Sequence, residues 1–356
     1  MQAGRRENGL AEAPRILGAT RMFREAAEAA DAVERQRGAA AAAIASLAGE
    51  LQANPRASVV TVARGSSDHA ATYAKYLFET RLGVLTSSAA PSVSSVYASG
   101  AHFRNVLLLA ISQSGRSPDL LAAVTAARKS GALVASMINA DDSPLAAVSD
   151  HVIPLSAGEE LSVAATKSFI ASLAAIAQLA ARWSGDAALL VEVEHLPERL
   201  RQAWELDWSA ALDPLRDAQH LYVVGRGLGF GAALEAALKF KEACGLHAEA
   251  FSAAELRHGP MAMVRPGFPV LAFAQSDGTR EGIAGLLREL AALGADVLAT
   301  GVSVPGTLEL PSLEADPAIQ PMLQIQSLYR LVNALAVARG RDPDRPQHLS
   351  KVTETL

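Results

Sequence analysis

The sequence predicts an α/β protein built from two similar domains in tandem, each a doubly wound parallel sheet flanked by helices. Short apolar, β-branched runs alternate with Ala-rich helical stretches, the order that builds a parallel sheet. The alternation stops in a charged stretch and then restarts. Ala63-Arg64-Gly65 after the first apolar run is matched by Gly225-Arg226-Gly227 after the first run of the restart, which reads as an internal repeat.

Residues 1–53 form the lead-in. Residues 1–18 are polar, with Gly, Pro and Arg, and read as a flexible arm; 20–53 read as one or two helices ended by Pro55. The first domain spans 54–190. Its elements are a strand at Ser58–Val62, a helix over 67–80 closed by Leu82-Gly83, a strand over 106–111 and a helix over Pro118–Lys129 with Gly131 as cap. A strand at Leu133–Ile138, a short helix from Ser143-Pro144, a strand over 151–155 and a long helix over 163–183 complete it. Residues 186–212, with Pro197 inside, read as linker helices. The second domain spans 205–340: strands over 220–224, 269–274 and 296–301, helices over 229–244 and 282–293, and a final helix over 319–340. Residues 341–356 are a polar tail.

The 356 residues are 50% hydrophobic, with 32 basic and 37 acidic side chains and a net charge of −5, so there is no global basic field for nucleic acid. No apolar run is long enough to span a membrane, and the basic N-terminus lacks the apolar stretch of a signal peptide. The single cysteine, Cys244, has no intrachain disulfide partner and fits a reducing cytoplasm. The eight histidines are scattered without ligand spacing, so no metal site is expected.

The most informative stretch is Ser112-Gln113-Ser114-Gly115-Arg116-Ser117-Pro118-Asp119. It joins a buried strand to a helix that begins with Ser at the N-cap, Pro at the first position and an acid in the first turn. Backbone N–H groups, hydroxyls and the helix dipole there face one point, a cradle for a small anion, with Arg116 its one cation. A capped helix without a ligand uses the same residues. Gly65-Ser66-Ser67, at the carboxyl end of another strand, converges on that point or simply caps its helix. Gly225-x-Gly227-x-Gly229 lacks the full glycine spacing, and the expected acid, of a dinucleotide site.

Further along, Glu235, Lys239 and Glu242 share a helix face, which by spacing alone reads as solvated and salt-bridged. Buried, such a glutamate becomes a proton-transfer base. Ser252 and Glu255 read as a capping box, and Gly259-Pro260 displays His258 at a break, where a surface role and acid–base work both fit. Lys351, in the tail Gln347-His348-Leu349-Ser350-Lys351-Val352, reads as solvated. Leu349 and Val352 offer the tail an anchor, and a lysine in a site could form an imine with a carbonyl.

Taken together, Gly65-Ser66-Ser67, Ser112-Gln113-Ser114-Gly115, Val163-Ala164-Ala165-Thr166-Lys167-Ser168-Phe169, Ala237-Leu238-Lys239-Phe240-Lys241-Glu242, Glu255-Leu256-Arg257-His258-Gly259-Pro260 and Leu349-Ser350-Lys351 resemble the SIS (sugar isomerase) family. The resemblance is to the branch that holds the isomerase half of glucosamine-6-phosphate synthase and the two-SIS deaminases. It runs from about residue 40 to the C-terminus and implies two tandem SIS domains. By this resemblance Ser66, Ser67, Ser112, Gln113, Ser114 and Ser117 hold the sugar phosphate, and Glu160, Val163 and Lys239 line the sugar pocket. Glu242 moves a proton between C1 and C2, His258 opens the ring from a neighbouring subunit, and Lys351 forms or assists an imine at C2. The resemblance implies a homodimer acting on an amino sugar phosphate, without metal or redox cofactor. Met1-Gln2-Ala3 lacks the N-terminal cysteine of a glutaminase, and Ala165 replaces a serine of the synthase. The expected reaction is therefore the deamination of glucosamine 6-phosphate to fructose 6-phosphate and ammonia. The alternatives are a fructosamine-phosphate deglycase, a ketose-phosphate isomerase, and a sugar-phosphate sensor.

Overall fold

A computed structural model describes residue 18 and residues 20–351, apart from 98, 100, 101 and 141. Of the arm expected over 1–18, residues 1–17 lie outside the described residues, as do 352–356 of the tail, Val352 among them. The first part runs α1 (Arg21–Ala27), α2 (Ala29–Ala53), β1 (Ser58–Val62), α3 (Ser66–Leu82), β2 (Thr86–Ser88), α4 (Pro91–Ser95), β3 (Val106–Ser112), α5 (Pro118–Lys129), β4 (Leu133–Ile138), α6 (Pro144–Ala147), β5 (His151–Pro154) and α7 (Lys167–Ser184). The chain continues through α8 (Ala187–Glu205), α9 (Leu212–Arg216), β6 (His220–Gly225), α10 (Phe230–Cys244), β7 (His247–Ser252), β8 (Pro269–Phe273), α11 (Arg280–Ala292), β9 (Asp296–Thr300), β10 (Leu308–Leu310) and α12 (Gln320–Ala338).

Among the described residues two five-stranded sheets result, ordered β2-β1-β3-β4-β5 and β10-β9-β8-β6-β7, with every neighbouring pair parallel. Read from β7, the second sheet repeats the order of the first, so the repeat seen in the sequence is a repeat of topology. Burial explains the strands. β3 and β8 are buried at every position, as expected for central parallel strands covered on both faces. In each sheet the winding reverses between the first and third strands, and open α/β sheets bind ligands in the crevice that this reversal leaves at the strands' carboxyl ends.

The helices between the sheets share one hydrophobic core that joins both halves, including Leu47, Tyr73, Phe78, Ile176, Phe240, Met322 and Tyr329; smaller clusters fill the outer faces. α3 and α10 cross closely at Gly231, where an added Cβ would lie 2.7 Å from the His69 carbonyl oxygen. Among the described residues no helix is long and apolar enough to cross a membrane.

Several expectations are corrected. The helix expected over 163–183 begins at Lys167, because residues 160–166 form a loop that delivers side chains to the site. Ser252 and Glu255 make no capping box: the turn Glu255–His258 is a 3-10 helix behind Ala254, with no side-chain cap bond. The linker is one helix running through a buried Pro197, followed by a short turn and α9. The tail is anchored through Asp344, whose carboxylate accepts the backbone N–H groups of Arg21 and Met22 (2.8 Å each) at the N-terminus of α1; Leu349 stays half-exposed.

Candidate active site

Between the sheets lies a cavity of about 400 Å³, at the carboxyl ends of β1 and β3. It is lined by both loops of the first domain, by α7 and α10, and by the tail. Ser66, Ser67, Ser112, Gln113, Ser114, Ser117, Val163, Lys239, Glu242 and Lys351 all face it.

The end of the cavity at residues 112–117 is built from loop geometry. Gly115, at φ 62°, turns the loop, and its N–H donates to Ser112 Oγ (2.9 Å); an added Cβ would lie 2.3 Å from Ser143 Oγ. Ser117 stands at the N-cap of α5, and its side chain makes no cap bond. The cation at this end is Arg64, which lines the cavity and binds the buried carboxylate of Asp119 through Nε (2.9 Å) and Nη2 (2.6 Å). Arg116, the expected cation, instead lies near the exposed Asp142, 3.5 Å away. Spacing could not show that α5 carries its first-turn acid to the end of β1.

The face of α10 expected to be solvated is buried: the side chains of Glu235 and Lys239 are both 0% exposed. The correction has a physical cause. α3 packs on that face and supplies Ser66 and His69 as partners. Lys239 Nζ donates to Glu242 Oε2 at 2.5 Å and lies 3.4 Å from Glu235 Oε1. Burial opposes its charge, but Glu235 and Glu242 outweigh that and hold the ammonium above the usual lysine range. Glu242 keeps 17% of its side chain exposed, enough to meet a ligand in the cavity.

The tail closes the opposite wall. His348 adopts a left-handed backbone (φ 64°), and the next three residues line the cavity. Lys351 Nζ donates to Glu160 Oε2 (3.2 Å) and to the Ser162 carbonyl (2.7 Å). Glu160 itself is buried behind the lining and accepts the N–H groups of Thr166 and Ser168 and the Ser168 hydroxyl. Burial pushes its carboxyl up, but Lys351 and these donors pull it below the ordinary value. The cavity does not contain His258, which is exposed on its 3-10 turn. Cys244 is buried, with its thiol pushed up to about 12, chiefly by burial.

The matching crevice of the second sheet is filled from within. Gln275 packs on Gly229, where a Cβ would lie 2.1 Å from its Oε1. Asp277 accepts the Thr279 N–H (2.8 Å) and hydroxyl (2.6 Å), so a carboxylate already takes the local donors.

This fold and site define a class. The family model described as SIS domain matches residues 53–182 and 214–303, and the chain belongs to the SIS family. It is 35% identical over 313 residues to the isomerizing glutamine–fructose-6-phosphate aminotransferase of Aeropyrum pernix, covering 82% of this chain and 50% of that protein. The chain thus spans about half the length of the curated relatives it matches. A solved structure from Silicibacter pomeroyi DSS-3, provisionally named a phosphosugar isomerase, is 43% identical with a TM-score of 0.88, covering 91% of this chain and all of that one. Glucosamine-6-phosphate deaminase from Thermotoga maritima is 26% identical with a TM-score of 0.76, covering 94% of this chain and 100% of its own.

Proposed function

We propose that the protein is an isomerising deaminase that converts glucosamine 6-phosphate and water to fructose 6-phosphate and ammonia. The observation that carries this reading is one cavity holding an anion cradle at one end and, at the other, a carboxylate–ammonium pair (Glu242 and Lys239) and a tail lysine (Lys351). The full-length match to the Thermotoga maritima deaminase supports the same reaction class.

The phosphate sits on the hydroxyls and N–H groups of 112–117 and on Ser66 and Ser67, with Arg64 beside it. His258 opens the sugar ring; because it stands outside its own chain's cavity, it serves the site of a second copy. Glu242 removes the C2 proton of the open-chain aldehyde while O1 is protonated. The resulting enolamine gives up a nitrogen proton and receives one at C1 from Glu242, leaving a C2 imine. Water adds at C2, directly or after exchange of the imine onto Lys351, and ammonia leaves. A positioned base of this kind contributes about 10²–10⁴-fold.

The test is incubation with glucosamine 6-phosphate in the absence of glutamine, with ammonia and fructose 6-phosphate measured together. Both products in equal amounts are expected; binding without either product would sink the deaminase reading. A second reading, aldose–ketose isomerisation of a phosphosugar without nitrogen release, draws on the 43% identity to the Silicibacter pomeroyi protein. It predicts interconversion of unaminated sugar phosphates when these replace glucosamine 6-phosphate in the incubation.

A further inference from the structure

Glu235 has no part in the steps above, yet its carboxylate is fully enclosed and saturated. Oε1 accepts Ser66 Oγ (3.1 Å) and Tyr329 OH (3.3 Å) and lies 3.4 Å from Lys239 Nζ; Oε2 is 2.9 Å from His69 Nδ1. These partners come from three elements. Ser66 and His69 open α3 in the first domain, Lys239 lies one turn along α10 in the second, and Tyr329 lies on α12 between them. Two of them, Ser66 and Lys239, line the cavity.

An enclosed carboxylate is costly, and apolar side chains of similar size would hold the same helices together at least as well. What a charge adds is direction. Lys239 has three N–H donors. Glu235 and Glu242 fix the ammonium from either side along α10, which leaves it one direction in which to meet a ligand. Glu235 Oε1 also sets the rotamer of Ser66, a hydroxyl of the anion end.

We propose that Glu235 is a positioning residue that fixes Lys239 against Glu242 and ties that pair to Ser66, so that seating the phosphate and aligning the acid–base pair are one coupled event. The inference rests on the reading of Glu242 as the group that moves the proton. The groups facing Glu235 are Ser66 and His69 from α3, Lys239 from its own helix and Tyr329 from α12, with Glu242 beyond Lys239.

Glu235→Gln keeps the shape and removes the charge. Its kcat is expected to fall about 10- to 100-fold, the penalty of a misaligned reacting pair. Removing one negative charge leaves the Lys239 ammonium to Glu242 alone, which favours the ionised Glu242, so the acidic limb of the kcat/KM profile moves to lower pH. Ser66→Ala weakens binding of glucosamine 6-phosphate in the wild-type background and has much less effect beside Glu235→Gln, the non-additivity expected of coupled groups. ¹⁵N-lysine NMR reads the Lys239 ammonium without turnover: its Nζ protons exchange slowly in the wild type and fast in Glu235→Gln. If the first variant folds poorly, His69→Ala, which removes the partner of Glu235 Oε2 and leaves the carboxylate in place, is expected to lower kcat and speed Nζ exchange in the same direction, without the move of the acidic limb to lower pH. Unchanged kcat and profile, additive binding effects or unchanged Nζ exchange would overturn the positioning role. No wild-type turnover on any sugar phosphate would instead overturn the functional reading, and the binding cycle and Nζ exchange would still decide the role of Glu235.

Discussion

Lys351 Nζ lies 3.2 Å from Glu160 Oε2, although the two residues stand 191 positions apart. The contact holds the tail in the cavity wall, and it has an acid signature. Burial raises the Glu160 carboxyl, but Lys351 and the donors of Thr166 and Ser168 bring it below its ordinary 4.5. A carboxyl depressed in the folded state adds stability that is full above pH 4.5 and drains away as pH falls through the depressed value. Lys351→Met removes the largest lowering influence, so the folded carboxyl titrates higher. Acid unfolding followed by circular dichroism is expected to begin at a higher pH than in the wild type; superimposable curves would mean the contact does not anchor the tail.

Gly231 sets the distance between α3 and α10. In an open helix Gly→Ala stabilises by about 1 kcal/mol. At Gly231 the new Cβ meets the His69 carbonyl at 2.7 Å and the Tyr73 nitrogen at 3.1 Å, both backbone atoms that cannot rotate away. Overpacking of this kind costs about 1–3 kcal/mol and outweighs the gain. Gly231→Ala is expected to lower the thermal midpoint. Gly38→Ala in α2, with nothing within 4 Å of its Cβ, is expected to raise it. Equal shifts in the two variants would refute the close-approach argument.

The elements legible in the sequence and those that were not differ in where they sit. Central strands such as β3 and β8 are apolar on both faces and announce themselves. The strands absent from the sequence reading, β2 (Thr-Ser-Ser), β7 (His-Ala-Glu-Ala-Phe-Ser) and β10 (Leu-Glu-Leu), all lie at sheet edges, where one side is open and the hydrophobic pattern fades. The same logic holds in the site. The loops after β1 and β3 were readable because a strand end followed by a hydroxyl-rich helix start is a local pattern. The burial of Glu235 and Lys239 was not, since the partners that make it tolerable, Ser66 and His69, come from the other domain. Glu160 is visible only through family resemblance, and Lys351, which reads as solvated from its neighbours, is placed in a site by the resemblance alone.

Arg64 supplies the cation of the cradle, and Asp119 fixes its guanidinium through two N–H groups. Charge-assisted hydrogen bonds contribute about 1.5–3 kcal/mol, so Arg64→Ala is expected to raise KM for the sugar phosphate roughly tenfold or more. kcat changes little, because the phosphate is held equally in the ground and transition states. Arg64→Lys recovers only part of the affinity, since an ammonium cannot keep the forked contact with Asp119 and also face the ligand. A fall in kcat at constant KM would move Arg64 from binding to chemistry.

His258 is exposed and absent from the cavity of its own chain, while Glu242 lines it. If ring opening is done by the histidine of a second copy, the two losses complement each other. His258→Ala and Glu242→Gln are each expected to be inactive alone on the cyclic sugar. Co-expressed with different tags and purified as mixed dimers, they pair one intact His258 with one intact Glu242 in half of the shared sites, so about half of wild-type activity per chain is expected on this arithmetic, within the additivity of independent sites. The same Glu242→Gln protein should still bind the sugar phosphate, since Ser112, Ser114 and Ser117 are untouched. Mixed dimers that stay inactive would place ring opening within one chain, and would require the turn at Glu255–His258 to move to reach the cavity.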